Sequence, residues 1–245
     1  MKELKKICAI IPAYNESGKI ADVVAKCLEH LQHVFVVDDG SIDATAREAA
    51  DAGAQVLMHS ENRGKGAALK TGFEQVIADK YDAVVILDAD GQHDSDEIPL
   101  FKKASIENDA EIVVGNRMSK TEEMPLHRYL TNKFTSWVVS KMAGQSIPDS
   151  QCGYRLMRLE VLMRINPQSS RYDTESEILI QAGRKGMKIV SVPIRTIYPE
   201  DRISKIHPFI DTMRFFKLIW RVKGEGRMEM KKEREVTIQK PAQDE

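Results

Sequence analysis

An α/β architecture, a wound and mostly parallel sheet flanked by helices in a single domain, is what this sequence predicts, on three observations. Short apolar segments of strand type alternate with stretches whose apolar residues recur at three- and four-residue spacing. One such segment, "DAVVIL", is apolar almost throughout, as a strand covered on both faces is. A polar cluster also closes each of the first five strands, at the edge where wound sheets bind ligands.

The elements follow in order. "ICAII" reads as a first strand, and Ile20, Val23, Val24, Cys27, Leu28 and Leu31 then form one helical stripe. "HVFVV" is a second strand ending at Asp38, Asp39, Gly40 and Ser41, and Asp43 is placed to cap the alanine-rich helix that follows. "AQVLMH" is a third strand, followed by "ENRGKG" and a helix with Leu69, Gly72, Phe73, Val76 and Ile77 on one face. "DAVVIL" is the fourth strand. Asp94 to Glu97 opens a helix that turns Ile98, Phe101 and Ala104 inward, and "AEIVVG" is a fifth strand ending near Asn116 and Arg117. Beyond it residues 126–144 are helical, "CGYRLMRLEVL" is mixed, residues 175–185 are helical and "MKIVSVPI" is a further strand of the same sheet. Residues 1–223 are expected to form the domain, and the charged residues 224–245 a poorly ordered tail.

Composition removes several function classes. With 36 basic and 37 acidic residues among 245, the net charge is −1, so no overall field marks a nucleic-acid binder and anion recognition must be local. Three cysteines, odd in number and without CxxC spacing, predict reduced thiols rather than a disulfide frame or zinc site. The first apolar run ends at Pro12, too short for a signal-peptide core, and no other run reaches membrane-spanning length. A cytoplasmic protein, soluble or peripheral to a membrane, is expected.

The chemistry lies in the strand-end clusters. In "LDADGQH", Asp88 and Asp90 point the same way if the backbone stays extended. Paired carboxylates repel unless a cation joins them, and Mg²⁺ or Mn²⁺ held by one or two carboxylates, phosphates and water suits the pair, with Gln92 adding a neutral oxygen. Alone the motif is weak, because Asp94 and Ser95 also read as a helix cap. Asp38 and Asp39 present two further carboxylates, suited to ribose hydroxyls or a base N–H. "NRGKG" is not a P-loop, since Gly66 and Ala67 follow Lys65. Lys65 is then either a charge for an anionic donor or an exposed loop lysine. Arg117 is the stronger diphosphate candidate, because its fork can pair two phosphate oxygens.

Taken in order, "IPAYNE", "VVDDGSIDAT", "NRGKGAAL", "LDADGQH", "VGNR", "DSQCGYRL", "ESEILIQA" and "VPIRTIYPEDRISKI" resemble family 2 glycosyltransferases of the GT-A (Rossmann-like) fold, in the polyprenyl or dolichyl phosphate mannosyltransferase and glucosyltransferase branch. The resemblance covers roughly residues 7–206. It implies inverting, Mg²⁺- or Mn²⁺-dependent transfer of a hexose from a nucleotide sugar of the GDP-mannose or UDP-glucose type. By position, Pro12, Tyr14, Glu16, Asp38 and Asp39 would hold the nucleoside, and Asp88 and Ala89 would line the nucleotide. Asp90 and Gln92, with Asp88, would hold the metal. Lys65, Arg117, Arg202 and Lys205 would meet the diphosphate, the last two on a basic closing loop. The catalytic set it implies is Asp88, Asp90, Arg117, Glu175, Arg202 and Lys205.

The expected acceptor is a polyprenyl phosphate at the membrane surface. A phosphate is already anionic and needs no base, and Arg128 and Arg155 would then line its channel. Transfer to a glycan or small-molecule hydroxyl is the alternative, with Asp149, Asp173, Glu175 or Glu177 as general base. A non-catalytic nucleotide-sugar-binding protein is the alternative of another class. A membrane partner subunit or a second copy is left open. In residues 207–223, Phe209, Ile210, Met213, Phe216, Ile219 and Trp220 crowd one broad face, with Arg214, Lys217, Arg221 and Lys223 around it. Such a helix either lies in a bilayer interface or covers the sheet.

Overall fold

The computed structural model describes residues 3–119, 124–169, 173–195 and 217–221. Its packing divides the chain into one unit, Met1–Ile203, and a second, Ser204–Glu245. The expected domain boundary at residue 223 lies outside the described residues, as does most of the segment 207–223, of which residues 217–221 are helical.

The first unit is built on strands β1 (Ile7–Ala13), β2 (His33–Asp38), β3 (Gln55–Met58), β4 (Ala83–Ile86), β5 (Ile112–Asn116), β6 (Arg155–Arg158) and β7 (Ile189–Pro193). Between and around them run α1 (Ile20–Leu28), α2 (Thr45–Asp51), α3 (Lys65–Ala78), α4 (Ile98–Glu107), α5 (Leu126–Ala143), α6 (Leu159–Arg164) and α7 (Asp173–Arg184). The sheet order is β3-β2-β1-β4-β6-β5-β7. Pairings β1–β2, β1–β4, β2–β3 and β5–β7 are parallel, while β6 runs antiparallel to both β4 and β5. The sheet is therefore mostly parallel, with one reversed strand in the segment that reads as mixed from sequence.

The core sits on β1, β2 and β4, whose residues Ile10, Ile11, Val36, Val37, Val84 and Val85 are fully buried. The apolar stripe of α1 is buried at Ile20, Val23, Val24 and Cys27. Helix α3 approaches the sheet so closely that a Cβ on Gly72 would lie 2.8 Å from the Ile10 side chain. Burying β6 requires a different solution, because it begins and ends in arginine. Arg158 donates to the Ser105 hydroxyl, the Ser105 carbonyl and the Asp109 carboxylate at 3.1, 2.9 and 2.8 Å. Arg155 does the same work at the other end of the strand, as described below.

Cys8, Cys27 and Cys152 are buried free thiols, and burial pushes the Cys152 pKa up to about 12. Among the described residues no helix is long and apolar enough to cross a membrane.

Candidate active site

The loops after β1 to β5 are the site's components, and each is fixed by hydrogen bonds between loops. After β1, Tyr14 is half-exposed, the Asn15 N–H donates to the Ser41 hydroxyl at 2.9 Å and the Ile42 N–H donates back to Asn15 Oδ1 at 3.0 Å. The Glu16 N–H donates to Thr45 Oγ1 at 2.8 Å. Pro12, Tyr14, Glu16 and the β2 end are thus one laced edge. Within it Asp38 is buried and accepts from the Ser41 hydroxyl.

Asp39 is also buried, and its oxygens face the neighbouring loop. It accepts the Arg63 N–H at 3.0 Å and the Gly64 N–H at 2.7 Å, and lies 2.7 Å from His59 Nδ1. Two backbone donors and an imidazole make it a strut that shapes the turn into α3.

That turn delivers Lys65, the first residue of α3. It is neither an exposed loop lysine nor directed at open solvent. Its ammonium contacts the Asp88 carboxylate and lies 2.9 Å from Glu175 Oε1, joining the end of β4 to α7. Burial alone would lower its pKa, but the Asp88 and Glu175 carboxylates outweigh burial and hold it above the ordinary lysine value. Asp88 shows the converse: burial works to raise it, and Lys65 holds it well below the usual carboxylate range.

Strand β4 ends at Ile86 and a turn begins at Ala89, between Asp88 and Asp90. The extended backbone on which the shared direction is conditional is therefore not kept through both residues. The turn is closed by the Asp88 N–H, which donates to His93 Nδ1 at 3.1 Å. Burial keeps the His93 pKa below its usual value, which suits an accepting, neutral ring, and the ring stacks on Tyr154 with centroids 5.1 Å apart. His93, which sequence reading left without a role, is what shapes this motif. Asp90 accepts from both the backbone N–H and the side-chain amide of Gln92. Ala89 between them is buried. Opposite Asp88 lies Gly153, where a Cβ would stand 2.7 Å from Asp88 Oδ2, so a side chain there would displace the carboxylate.

Arg117, following β5, uses its fork on the chain itself. Its Nε and Nη2 donate to Asp149 Oδ2 and Oδ1 at 2.8 and 3.0 Å, and its backbone N–H donates to Oδ2 at 3.1 Å. Asp149 is fully buried under this pair.

Among the described residues Lys65 thus pairs with Asp88 and Glu175, and Arg117 pairs with Asp149. No group of three or more His, Cys, Asp and Glu side chains forms a metal cage among the described residues. Asp90 alone, with Gln92 beside it and Asp88 already paired to Lys65, fits a hard cation that draws its other ligands from diphosphate and water.

Residues 8–165 match the sequence profile of glycosyl transferase family 2. The chain belongs to this family. The UDP-N-acetylglucosamine–dolichyl-phosphate N-acetylglucosaminyltransferase of Methanococcus voltae is 33% identical over 241 residues, 89% of this chain and 95% of that protein. The undecaprenyl-phosphate mannosyltransferase of Micrococcus luteus is 30% identical over 220 residues, 82% of this chain and 87% of that protein. The glucosyl-3-phosphoglycerate synthase of Mycobacterium tuberculosis, solved with Mn²⁺, UDP and glucosyl-3-phosphoglycerate, matches with a TM-score of 0.62 at 19% identity, over 89% of this chain and 78% of that one. The fold they share is GT-A.

In this family 2 glycosyltransferase the second half of the site departs most from expectation. Arg155, expected in an acceptor channel, is fully buried and donates to the carbonyls of Cys152, Ser150 and Glu175 at 2.8, 2.9 and 2.7 Å. It is a brace between β6 and α7. Glu177, one of the candidate bases, accepts the Gln168 and Ser169 N–H groups at 2.9 and 2.8 Å. Asp173 opens α7, and Arg128 lies in the first turn of α5. Arg202 and Lys205 lie outside the described residues.

Proposed function

We propose that this enzyme transfers a hexose from a nucleotide sugar to a polyprenyl phosphate, inverting the anomeric centre. The observation that carries the acceptor choice is the state of the candidate bases. A hydroxyl acceptor must lose its proton during attack, whereas a phosphate arrives anionic. Asp149 is forked by Arg117, Glu175 is paired with Lys65, and Glu177 caps the backbone at residues 168–169. Three of the four carboxylates that would serve a hydroxyl are thus engaged in holding the fold. Relatives named for dolichyl-phosphate and undecaprenyl-phosphate acceptors support the same choice.

The nucleoside would lie along the laced edge of Pro12, Tyr14, Glu16 and Asp38, with Asp39 shaping the adjoining turn and Asp88 and Ala89 lining the nucleotide. Asp90, with Gln92, would hold Mg²⁺ or Mn²⁺, which when bound neutralises charge on the departing diphosphate. Lys65 fixes Asp88 and Glu175 relative to one another. Arg117 would place positive charge on the leaving-group side. Removing one such electrostatic partner typically costs about 3 kcal/mol of transition-state stabilisation.

Purified protein incubated with Mn²⁺ and a panel of nucleotide sugars should release nucleoside diphosphate only when a polyprenyl phosphate is added. Release supported equally by a water-soluble sugar hydroxyl would overturn the acceptor assignment.

A further inference from the structure

Helix α5 is amphipathic with its faces reversed. The residues it buries are small: Ser136, Val139 and Ala143. Its large apolar residues point outward, with Leu126 70%, Leu130 55%, Phe134 50% and Trp137 59% exposed. Their spacing of four, four and three residues puts them on one stripe, and the Phe134 and Trp137 rings sit 6.3 Å apart. A contiguous exposed apolar stripe marks an interaction surface, since single exposed apolar residues need no explanation but a row of them does.

The charges on α5 select the partner. Its 18 residues include Arg128, Lys133 and Lys141 and no Asp or Glu. Lys133 and Lys141 are exposed at positions three or four residues from members of the stripe, and Lys133 Nζ lies 5.5 Å over the Tyr129 ring. The chain as a whole is almost neutral, so this cationic helix is a local feature. Aromatic and aliphatic side chains flanked by lysines are the composition of a helix lying in a bilayer interface, rings among the acyl chains and ammonium groups at anionic phosphates. A second copy fits less well, because a two-fold contact would bring this acid-free stripe against itself with no countercharge.

The inner face of α5 ties this surface to the site. The Ser150 N–H donates to Ser136 Oγ at 2.9 Å, and the Ile147 N–H donates to Ser140 Oγ at 2.9 Å. The loop so held contains Asp149, the partner of Arg117, and α5 packs along α7, which carries Glu175. We propose that the Leu126–Leu130–Phe134–Trp137 stripe docks the enzyme on an anionic lipid surface, with the lipid-borne acceptor entering on the α5–α7 side of the site. The entry route rests on the polyprenyl phosphate reading; the docking surface does not. The membrane contact that is one of the two roles expected of residues 207–223 lies mostly outside the described residues.

The test is sedimentation of the full chain with vesicles of phosphatidylcholine alone or mixed with phosphatidylglycerol, with neither donor nor acceptor present. Wild type should bind the anionic vesicles, and Phe134→Ser with Trp137→Ser should bind about tenfold more weakly or less. Lys133→Gln with Lys141→Gln should reduce only the preference for phosphatidylglycerol. These residues are exposed, so the variants should keep the wild-type melting temperature and full turnover on a short, water-soluble isoprenyl phosphate. Wild type remaining in the supernatant, or the double serine variant binding as well as wild type, would overturn the proposal. So would loss of a dimer in light scattering without change in vesicle binding, which would assign the stripe to a second copy. If vesicles bind as expected but no isoprenyl phosphate accepts sugar, the acceptor reading fails and the docking surface stands.

Discussion

The two halves of the sheet hold their charged side chains in different ways. From β1 to β4 the groups held are anions, and backbone N–H groups hold them. Asp39 takes those of Arg63 and Gly64, Asp43 those of Ser17 and Thr45, and Asp82 those of Lys5 and Lys6. From β5 to β7 cations are held as well, and oxygens hold them. Arg117 is forked by Asp149, Arg155 takes three carbonyls and Arg158 takes Ser105 and Asp109, while Glu97, Glu111, Asp149 and Glu177 still accept backbone amides there. A parallel sheet leaves N–H-rich turns at its strand ends, which suit carboxylates. The reversed strand β6 brings arginines into the interior, where carbonyls and carboxylates must meet them. The site lies on the seam, and Lys65 spans it, linking Asp88 of the first half to Glu175 of the second.

The largest effect should come from cutting that link. Lys65→Met leaves the buried Glu175 and the part-buried Asp88 without their shared cation, and urea unfolding should show a loss of about 3 kcal/mol. Adding Glu175→Gln should restore part of it, since one of the two stranded charges is then removed. A single variant as stable as wild type would mean that the halves are held together elsewhere.

Arg155→Met tests the second half alone. Three carbonyls lose a charged donor, and the expected loss is about 2 kcal/mol in the same unfolding experiment. The Michaelis constant for acceptor should not change in the fraction that remains folded. A raised constant with unchanged stability would return Arg155 to the acceptor channel.

The smallest of these effects sharpens the role of Arg117. Arg117→Lys keeps the charge and loses the fork, so kcat should fall about tenfold. Asp149→Asn should reproduce most of that fall if the fork's purpose is to aim the guanidinium. An Asp149→Asn enzyme with wild-type kcat would show that Arg117 is positioned without it.

The same division explains what the sequence could reveal. Strands β1 to β5 and β7 were legible because each is a short apolar run, and the stripe of α1 was legible because its inward residues are the large ones. Segment 155–158 was not, since hydropathy assigns Arg155 and Arg158 to solvent and cannot register the carbonyls that bury them. The exposed stripe of α5 was hidden for the opposite reason: periodicity finds an apolar face but does not say which way it points. Lys65, Asp88 and Glu175 could each be singled out by type and position. Their meeting could not, because Lys65 and Glu175 are brought together only by the packed sheet.

The central claim is that the seam forms a donor site in which Asp90 anchors a divalent cation and the nucleoside diphosphate with it. Calorimetric titration of GDP and UDP into wild type and Asp90→Ala, with Mn²⁺ and then with EDTA, tests it without turnover. The account predicts that wild type binds one of the two nucleotides at least about tenfold more tightly with Mn²⁺, and that Asp90→Ala, still folded, loses that difference. Equal affinity in EDTA and in Mn²⁺, or an undiminished metal effect in Asp90→Ala, would contradict it.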